Sequence, residues 1–263
     1  MNKTSRQPAG QETKTLAEEE LIDFGFQEVA RADKQDRVRA VFDSVAPSYD
    51  LMNDVMSLGV HRLWKEALID WLAPQPGQKL VDLAGGTGDI ALRFLRRGGG
   101  EVLVVDINEQ MLQAGRKRRD LRRHADRISW QVGNAEKLAV ETASADRVTI
   151  AFGLRNVTDR QAALGEAWRI LRPGGRFCCL EFSHVSNAML ARLYDRWSFG
   201  ILPRLGGVIA RDRAAYQYLV ESIRRFPSQA ELAGMLAEAG FSQVRVRPLS
   251  GGIAAIHSGW KLD

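Results

Sequence analysis

From Lys79 to the C-terminus the chain alternates between short apolar runs and longer amphipathic stretches. "KLVDLA", "EVLVVDI", "RISWQVG" and "DRVTIAF" are rich in Val, Ile and Leu and too brief for helices, so they read as strands. Between them "GDIALRFLRRG" and "NEQMLQAGRKRRDLRR" place apolar residues at helical spacing; glycines end the first, and Asn108 is a plausible N-cap for the second. "DRQAALGEAWRIL" predicts a helix, "GRFCCLEFS" a strand, "SQAELAGMLAEAG" a helix, and "FSQVRVRPL" and "GIAAIHSGW" two final strands. Strands alternating with helices of this length predict βαβ units and a mostly parallel sheet, an α/β fold with helices on both faces.

Three regions stand outside that rhythm. Residues 1–22 are polar, carry Pro8, Gly10 and the run Glu18-Glu19-Glu20, and are expected to form a disordered tail. Residues 24–72 read as helical, because "VRAVFDSVA" and "HRLWKEALIDWL" both carry an apolar face, and Pro74 and Pro76 then punctuate the chain. Segment 186–222 interrupts the later alternation and is rich in Trp, Phe, Leu, Gly and Arg. The expected organisation is one domain over residues 23–263, with a helical N-terminal cap at 24–75 and an inserted lid at 186–222.

Composition narrows the function classes. The chain has 263 residues, 45% hydrophobic and 26% charged, ordinary for a soluble globular protein with one good core. No apolar run approaches the roughly 18 residues of a membrane span. The N-terminus lacks the apolar segment of a signal peptide. Cys178 and Cys179 are adjacent within an apolar run, so as strand residues they should point to opposite faces as core packing in a reducing cytoplasm. A net charge of +5 admits an anionic partner, and "RKRRDLRRHADR" is the densest basic stretch. Without an RNA-binding motif or interleaved aromatics, the run reads better as a solvated helix end, and no nucleic acid is expected.

The candidate chemistry begins at "DLAGGTGD", Asp82–Asp89, where the first strand of the alternation turns into a helix. Small residues there let a ligand approach backbone N–H groups at a helix start. Asp106 ends the next strand, where an acidic residue suits the two hydroxyls of a ribose. "GTGDIA" formally fits the G-x-G-x-x-A form of a dinucleotide fingerprint, so this turn alone does not choose between a dinucleotide and another adenosine-bearing cofactor.

The fuller stretch resembles motif I of class I S-adenosylmethionine methyltransferases, with Ala84 at the usual first glycine. "YDLMNDVMSLGVHRLW" (Tyr49–Trp64) and "RILRPGGRFCCLEFS" (Arg169–Ser183) resemble the two signatures of the ubiquinone/menaquinone biosynthesis C-methyltransferase family. With "DLAGGTGD" and "FGLRNVTD" the likeness covers the chain from about Phe24 to Asp263. It implies the class I methyltransferase (Rossmann-like) fold with a seven-stranded sheet. It also implies methyl transfer from S-adenosyl-L-methionine to a ring carbon of a polyprenylated quinol, 2-polyprenyl-6-methoxy-1,4-benzoquinol or demethylmenaquinol. It places Thr87, Asp106, Asn134 and Ala135 at cofactor positions, beside Asp82 and Gly86 of the turn, and puts Ala151 where the family has a serine.

A ring carbon becomes a useful nucleophile when the neighbouring hydroxyl ionises, and a phenol's pKa is about 10. A fixed cation favours the phenolate. Arg155, just past the strand "VTIAF", is the expected catalytic residue, stabilising that charge or positioning a water. The structural alternative is an arginine that pairs a carboxylate such as Asp159. His184, after "EFS", is a second candidate base. Tyr49, Asn53 and His61 of the first signature are candidates for the quinol pocket. No metal-ligand spacing appears, and sulfonium methyl transfer needs no metal. A lipid substrate suggests peripheral contact with the inner face of the membrane by a cytoplasmic protein, and both a homo-oligomer and a biosynthetic complex are compatible with the chain.

Overall fold

The computed structural model describes residues 21–45, 54, 57, 59–185, 192 and 213–263. Its centre is a seven-stranded sheet built from β3 (Lys79–Leu83), β4 (Glu101–Asp106), β5 (Ile128–Val132), β6 (Ala145–Ala151), β7 (Leu171–Phe182), β8 (Ser242–Leu249) and β9 (Ala254–Trp260). The order is β5-β4-β3-β6-β7-β9-β8. The first five positions are parallel, while β9 runs antiparallel to β7 and β8 antiparallel to β9. The chain winds outward from β3 to β5 and then returns to β6 on β3's other side. The carboxyl ends of β3 and β6 are therefore the point where open α/β sheets bind ligands.

Two cores cover the two faces. On one, α2 (His61–Leu72), α3 (Asp89–Arg96) and α6 (Arg213–Arg225) bury Leu68, Ile69, Leu72, Phe94 and Tyr216 against the sheet. On the other, α5 (Arg160–Ile170) and α7 (Gln229–Glu238) bury Leu164, Ala167, Leu232 and Leu236. Cys178 belongs to the first core and Cys179 to the second, as strand alternation requires. Helix α2 shows how the pattern is read out. Its buried residues, His61, Trp64, Lys65, Leu68, Ile69 and Leu72, recur every three or four positions along one stripe. Each fully buried Leu or Ile contributes about 1.5–3 kcal/mol, which fastens α2 on the sheet beside α3. Two polar residues, His61 and Lys65, lie within that stripe.

Several expectations change. Residues 24–30 are not helical: β1 (Leu21–Phe24) and β2 (Gln27–Ala30) form a two-stranded antiparallel hairpin turned at Gly25. Leu21 and Ile22, read as the end of the tail, are its first residues. The hairpin is held by Phe24 stacked on Tyr218 at 4.4 Å and by Glu221, which accepts from the Phe26 amide. The cap helix proper is α1 (Arg31–Val45). Helix α4 (Glu109–Lys117) is shorter than the basic run suggested. Arg118 leaves the helix and donates to both the carbonyl and the hydroxyl of Thr87, and Arg122–Arg127 forms a separate 3-10 turn. Asn108 is its N-cap, accepting from Gln110 and Met111 amides. Of the segment 186–222, Arg192 and the first part of α6 are described; Trp197, Phe199, Ile201, Leu202 and Leu205 lie outside the described residues.

Candidate active site

A pocket with about 1090 Å³ of open space crosses the carboxyl ends of the parallel strands. Asp82, Gly86, Thr87, Asp106, Asn134 and Ala135, all expected from sequence, line it together. Their order follows the sheet. Asn134 and Ala135 follow β5, Asp106 ends β4, and Asp82 to Thr87 end β3. The far wall comes from α1 through Gln35, Val38 and Arg39, and from α2 through Lys65. These four had no specific sequence signal beyond the amphipathic pattern of their helices. A hydrogen bond of 2.8 Å from Asn108 Nδ2 to Asp43 Oδ1 ties α1 to the cap of α4.

The glycine turn is shaped by contact. Gly86 has a φ of 55°, in the left-handed region, and its amide donates to Asp106 Oδ2 at 2.9 Å. A Cβ at Gly85 would stand 2.7 Å from Asp82 Oδ2, so only glycine leaves room beside that carboxylate. Ala84 holds a left-handed φ of 49° and Phe152, across the pocket, one of 57°. Non-glycine residues in that conformation cost about 1–3 kcal/mol each, and both line the pocket.

The two acids are electrostatically primed. Asp82 is completely buried; its Oδ1 accepts from Thr149 at 2.7 Å and its Oδ2 has no hydrogen-bond partner. Burial pushes its carboxyl up to about 7, against the Thr149 hydrogen bond and helped by the charges of Asp106 and Asp89. Asp106 accepts from the amides of Asn108 at 2.8 Å and Gly86 at 2.9 Å, and burial still holds it up at about 6. Each oxygen of Asp106 thus takes one backbone N–H and keeps a lone pair for a hydroxyl. A ligand with a diol at β4 and positive charge near β3 satisfies both acids. S-adenosylmethionine has that chemistry, and the orphaned Asp82 Oδ2 is the observation that fits its cationic end. A dinucleotide would bring a pyrophosphate, an anion, to the same carboxylate.

The other expected residues sit elsewhere. Arg155 is fully buried and donates through Nη1 to Glu181 Oε1 and to the Phe152 carbonyl, both at 2.6 Å. The structural partner is therefore Glu181 of β7, not Asp159; Asp159 pairs Arg31 at 2.8 Å and caps α5 through the Ala162 amide. The sequence reading missed Glu181, although Arg155 follows β6 and Glu181 lies on the adjacent strand. His184 is exposed, and its Nε2 donates to the Phe226 carbonyl at 2.9 Å. His61 is buried in the first turn of α2, with Nε2 2.8 Å from Asp54 Oδ1. Burial first, and then the charge of Lys65, lower its pKa, so the ring is neutral near pH 7. Tyr49 and Asn53 lie outside the described residues.

Residues 30–261 match the model of the ubiE/COQ5 methyltransferase family. The ubiquinone/menaquinone biosynthesis C-methyltransferase UbiE of Acidiphilium cryptum is 56% identical over 243 residues, 92% of this chain and 98% of that protein. The corresponding protein of Paracoccus denitrificans is 57% identical over 240 residues, 91% of this chain and 96% of that one. A SAM-dependent methyltransferase of Thermotoga maritima superposes with a TM-score of 0.61 at 22% identity, covering 85% of this chain and 99% of that one. Haemonchus contortus phosphoethanolamine N-methyltransferase 2, solved with S-adenosyl-L-methionine, gives a TM-score of 0.55 at 15% identity, with coverage of 76% and 52%. These two structures establish the class I methyltransferase fold.

Proposed function

Because the chain belongs to the ubiE/COQ5 methyltransferase family, we infer that it methylates a ring carbon of a polyprenylated quinol in ubiquinone or menaquinone biosynthesis. The acceptors are 2-polyprenyl-6-methoxy-1,4-benzoquinol, demethylmenaquinol or both. The protein is an S-adenosylmethionine-dependent C-methyltransferase. The observation that carries the reading is the pocket over β5, β4 and β3, where Asp106 and Asp82 present carboxylates in the order of a ribose and a cationic tail.

When bound, S-adenosylmethionine supplies an electrophilic methyl group on a sulfonium. The protein's part begins with position. Asn134 and Ala135 take the adenine side, Asp106 accepts from the ribose hydroxyls, and Asp82 offers its vacant oxygen to positive charge. Gly86 and Thr87 let the cofactor lie close to the backbone. Arg155 acts in this proposal through the turn it holds. Its guanidinium binds the Phe152 carbonyl and Glu181 together, and so fixes Phe152, Gly153 and Asn156 in the pocket wall. Arg155 also lies 5.7 Å from the centre of the Phe182 ring. Glu181 neutralises most of its charge, so stabilisation of a phenolate by Arg155 is a remainder, not a full unit charge. His61, oriented by Asp54, and Tyr49 and Asn53 of the same sequence signature belong to the quinol side.

The quinol's apolar tail leads us to propose work at the cytoplasmic surface of a membrane. Among the described residues no helix is long and apolar enough to cross one. The deciding experiment incubates the purified protein with S-adenosylmethionine and each reduced quinol and follows the addition of one methyl group by mass spectrometry. Transfer to neither quinol would overturn the assignment.

A further inference from the structure

The pocket walls differ in charge from one end to the other. Asp106 stands at the adenosine end, and Asp82 lies further along the pocket on β3. At the opposite end Asp89, the first residue of α3, stands among three cations: Lys65 Nζ at 2.8 Å, Arg93 Nε at 3.4 Å and Arg118 Nη2 at 3.9 Å. Burial alone would raise Asp89, yet Lys65, Arg93 and Arg118 together hold it down at about 2. Arg93 also pairs Glu66 and Arg118 also pairs Asp120, so each arginine has a second carboxylate and Asp89 is left chiefly to Lys65. Lys65 differs from the other two. It is 5% exposed, it lines the pocket, and its hydrogen bond to Asp89 Oδ2 occupies one of three ammonium protons.

We propose that Lys65 binds the carboxylate of the methionine moiety of S-adenosylmethionine, with Asp89 holding the ammonium in place.

The cofactor is linear: adenine, ribose, sulfonium, amino acid. Adenine at Asn134–Ala135 and ribose at Asp106 leave the amino-acid end beyond β3, where α2 crosses α3. That end carries the cofactor's single anionic group, and a buried ammonium with free protons faces it. The other pocket-lining cation, Arg39, is exposed on α1 and sits 3.7 Å from Asp36. Hydrogen bonds between a buried cation and a carboxylate are among the stronger ones. The placement also explains a lysine inside the apolar stripe of α2, where desolvation would otherwise disfavour it. A purely structural Lys65 would clamp α2 to α3 and make no distinction among ligands.

The inference rests on the cofactor assignment, and the test separates the two. Titration calorimetry compares S-adenosylhomocysteine, which keeps the amino-acid end, with 5′-methylthioadenosine, which lacks it. In Lys65→Gln and Lys65→Met the affinity for S-adenosylhomocysteine is expected to fall roughly 10- to 100-fold, while methylthioadenosine binds within about twofold of wild type. Retained methylthioadenosine binding also reports a folded pocket. Lys65→Arg should recover part of the loss, because the charge returns. Should Lys65→Met fail to fold, Lys65→Gln, which keeps a hydrogen-bond donor and loses the charge, decides the matter. Equal losses on both ligands, or no loss on either, overturn the role of Lys65 alone. Wild-type protein that binds neither ligand overturns the cofactor assignment and this inference with it.

Discussion

Cofactor binding should depend on pH through Asp82, because the free pocket holds that carboxyl at about 7. The cofactor brings a sulfonium and an ammonium into the pocket Asp82 lines, so the bound state favours the carboxylate and binding expels a proton. The groups that face Asp82 are Thr149 on β6, Asp106 on β4, Asp89 on α3 and Lys65 on α2, and the balance among them already leaves the acid raised. With a free-state value of about 7, affinity should be near its maximum at pH 8. It should be lower by about twofold at pH 7 and about tenfold at pH 6. Asp106, held at about 6, adds a second proton below that point and steepens the fall. The sign for the free protein is opposite. A carboxyl raised from 3.8 to about 7 contributes stability that is complete below the lower value and lost as pH rises through the upper one. The free enzyme should therefore lose some thermal stability from this group between about pH 4 and 7, while stabilisation by the cofactor grows. Calorimetric titration of S-adenosylmethionine in buffers of different ionisation enthalpy measures both affinity and protons released, about half a proton at pH 7. Asp82→Asn should remove the change between pH 8 and 7 and leave only the fall below 6. A flat affinity from pH 8 to 6, or an unaltered profile in Asp82→Asn, would refute the reasoning.

Asp106→Ala removes the acceptor for the ribose hydroxyls and should weaken cofactor binding by about 1–3 kcal/mol per hydroxyl left unpaired, read by the same titration; unchanged affinity would show that the ribose lies elsewhere. Arg155→Met leaves Glu181 as an unpaired buried charge and should cost about 3–5 kcal/mol in urea unfolding. Arg155→Lys keeps the charge but not the planar fork that holds Phe152 and Glu181 together, so turnover should fall while cofactor affinity holds, and wild-type turnover at saturating quinol would reduce Arg155 to a stability role. Ala84→Gly relieves a left-handed alanine at φ 49° and should raise stability by about 0.5–1 kcal/mol, seen as a melting temperature a degree or more higher; a lower one would mean that the alanine methyl packs usefully.

What was legible in the sequence follows from which signals are local. The strands of the alternation are continuous apolar runs because both faces of the sheet are covered, and Asn108 could be named as a cap because a cap is decided within a few residues. The hairpin at 21–30 was lost for a local reason as well. "LIDFGFQEVA" carries only a Gly-Phe pair as its turn signal, and β1 and β2 are four-residue strands whose burial is supplied by Tyr218 and Glu221, distant in sequence. The basic run gave no sign that α4 stops at Lys117, since nothing in "RKRRDLRR" breaks a helix; the stop comes from Arg118 reaching Thr87. Glu181 was hidden for a different reason. Arg155 and Glu181 are 26 positions apart, and only the register that sets Ala151 beside Leu180 brings them together.

The acids of the pocket carry this point furthest. Asp82, Asp89 and Asp106 are the same residue type within a few residues of strand ends and a helix start, and sequence treats them alike. In the fold Asp82 and Asp106 are pushed up to about 7 and about 6 by burial, while Asp89 is held down at about 2 by cations from α2, from its own helix and from Arg118 after α4. The largest share of the difference comes from α2, which brings Lys65 within 2.8 Å of Asp89, with Arg93 and Arg118 adding to it. Without that helix the pocket lining would lose its one buried ammonium, and the carboxylate of a zwitterionic amino-acid tail would lose that partner. With it, Asp106 meets the hydroxyls at one end, and at the other an acid, Asp82, and an ammonium, Lys65, meet the two charges of the amino acid. The polarity matches the order of groups along S-adenosylmethionine, so the cofactor's direction across the sheet is fixed by where α2 docks as much as by the glycine turn.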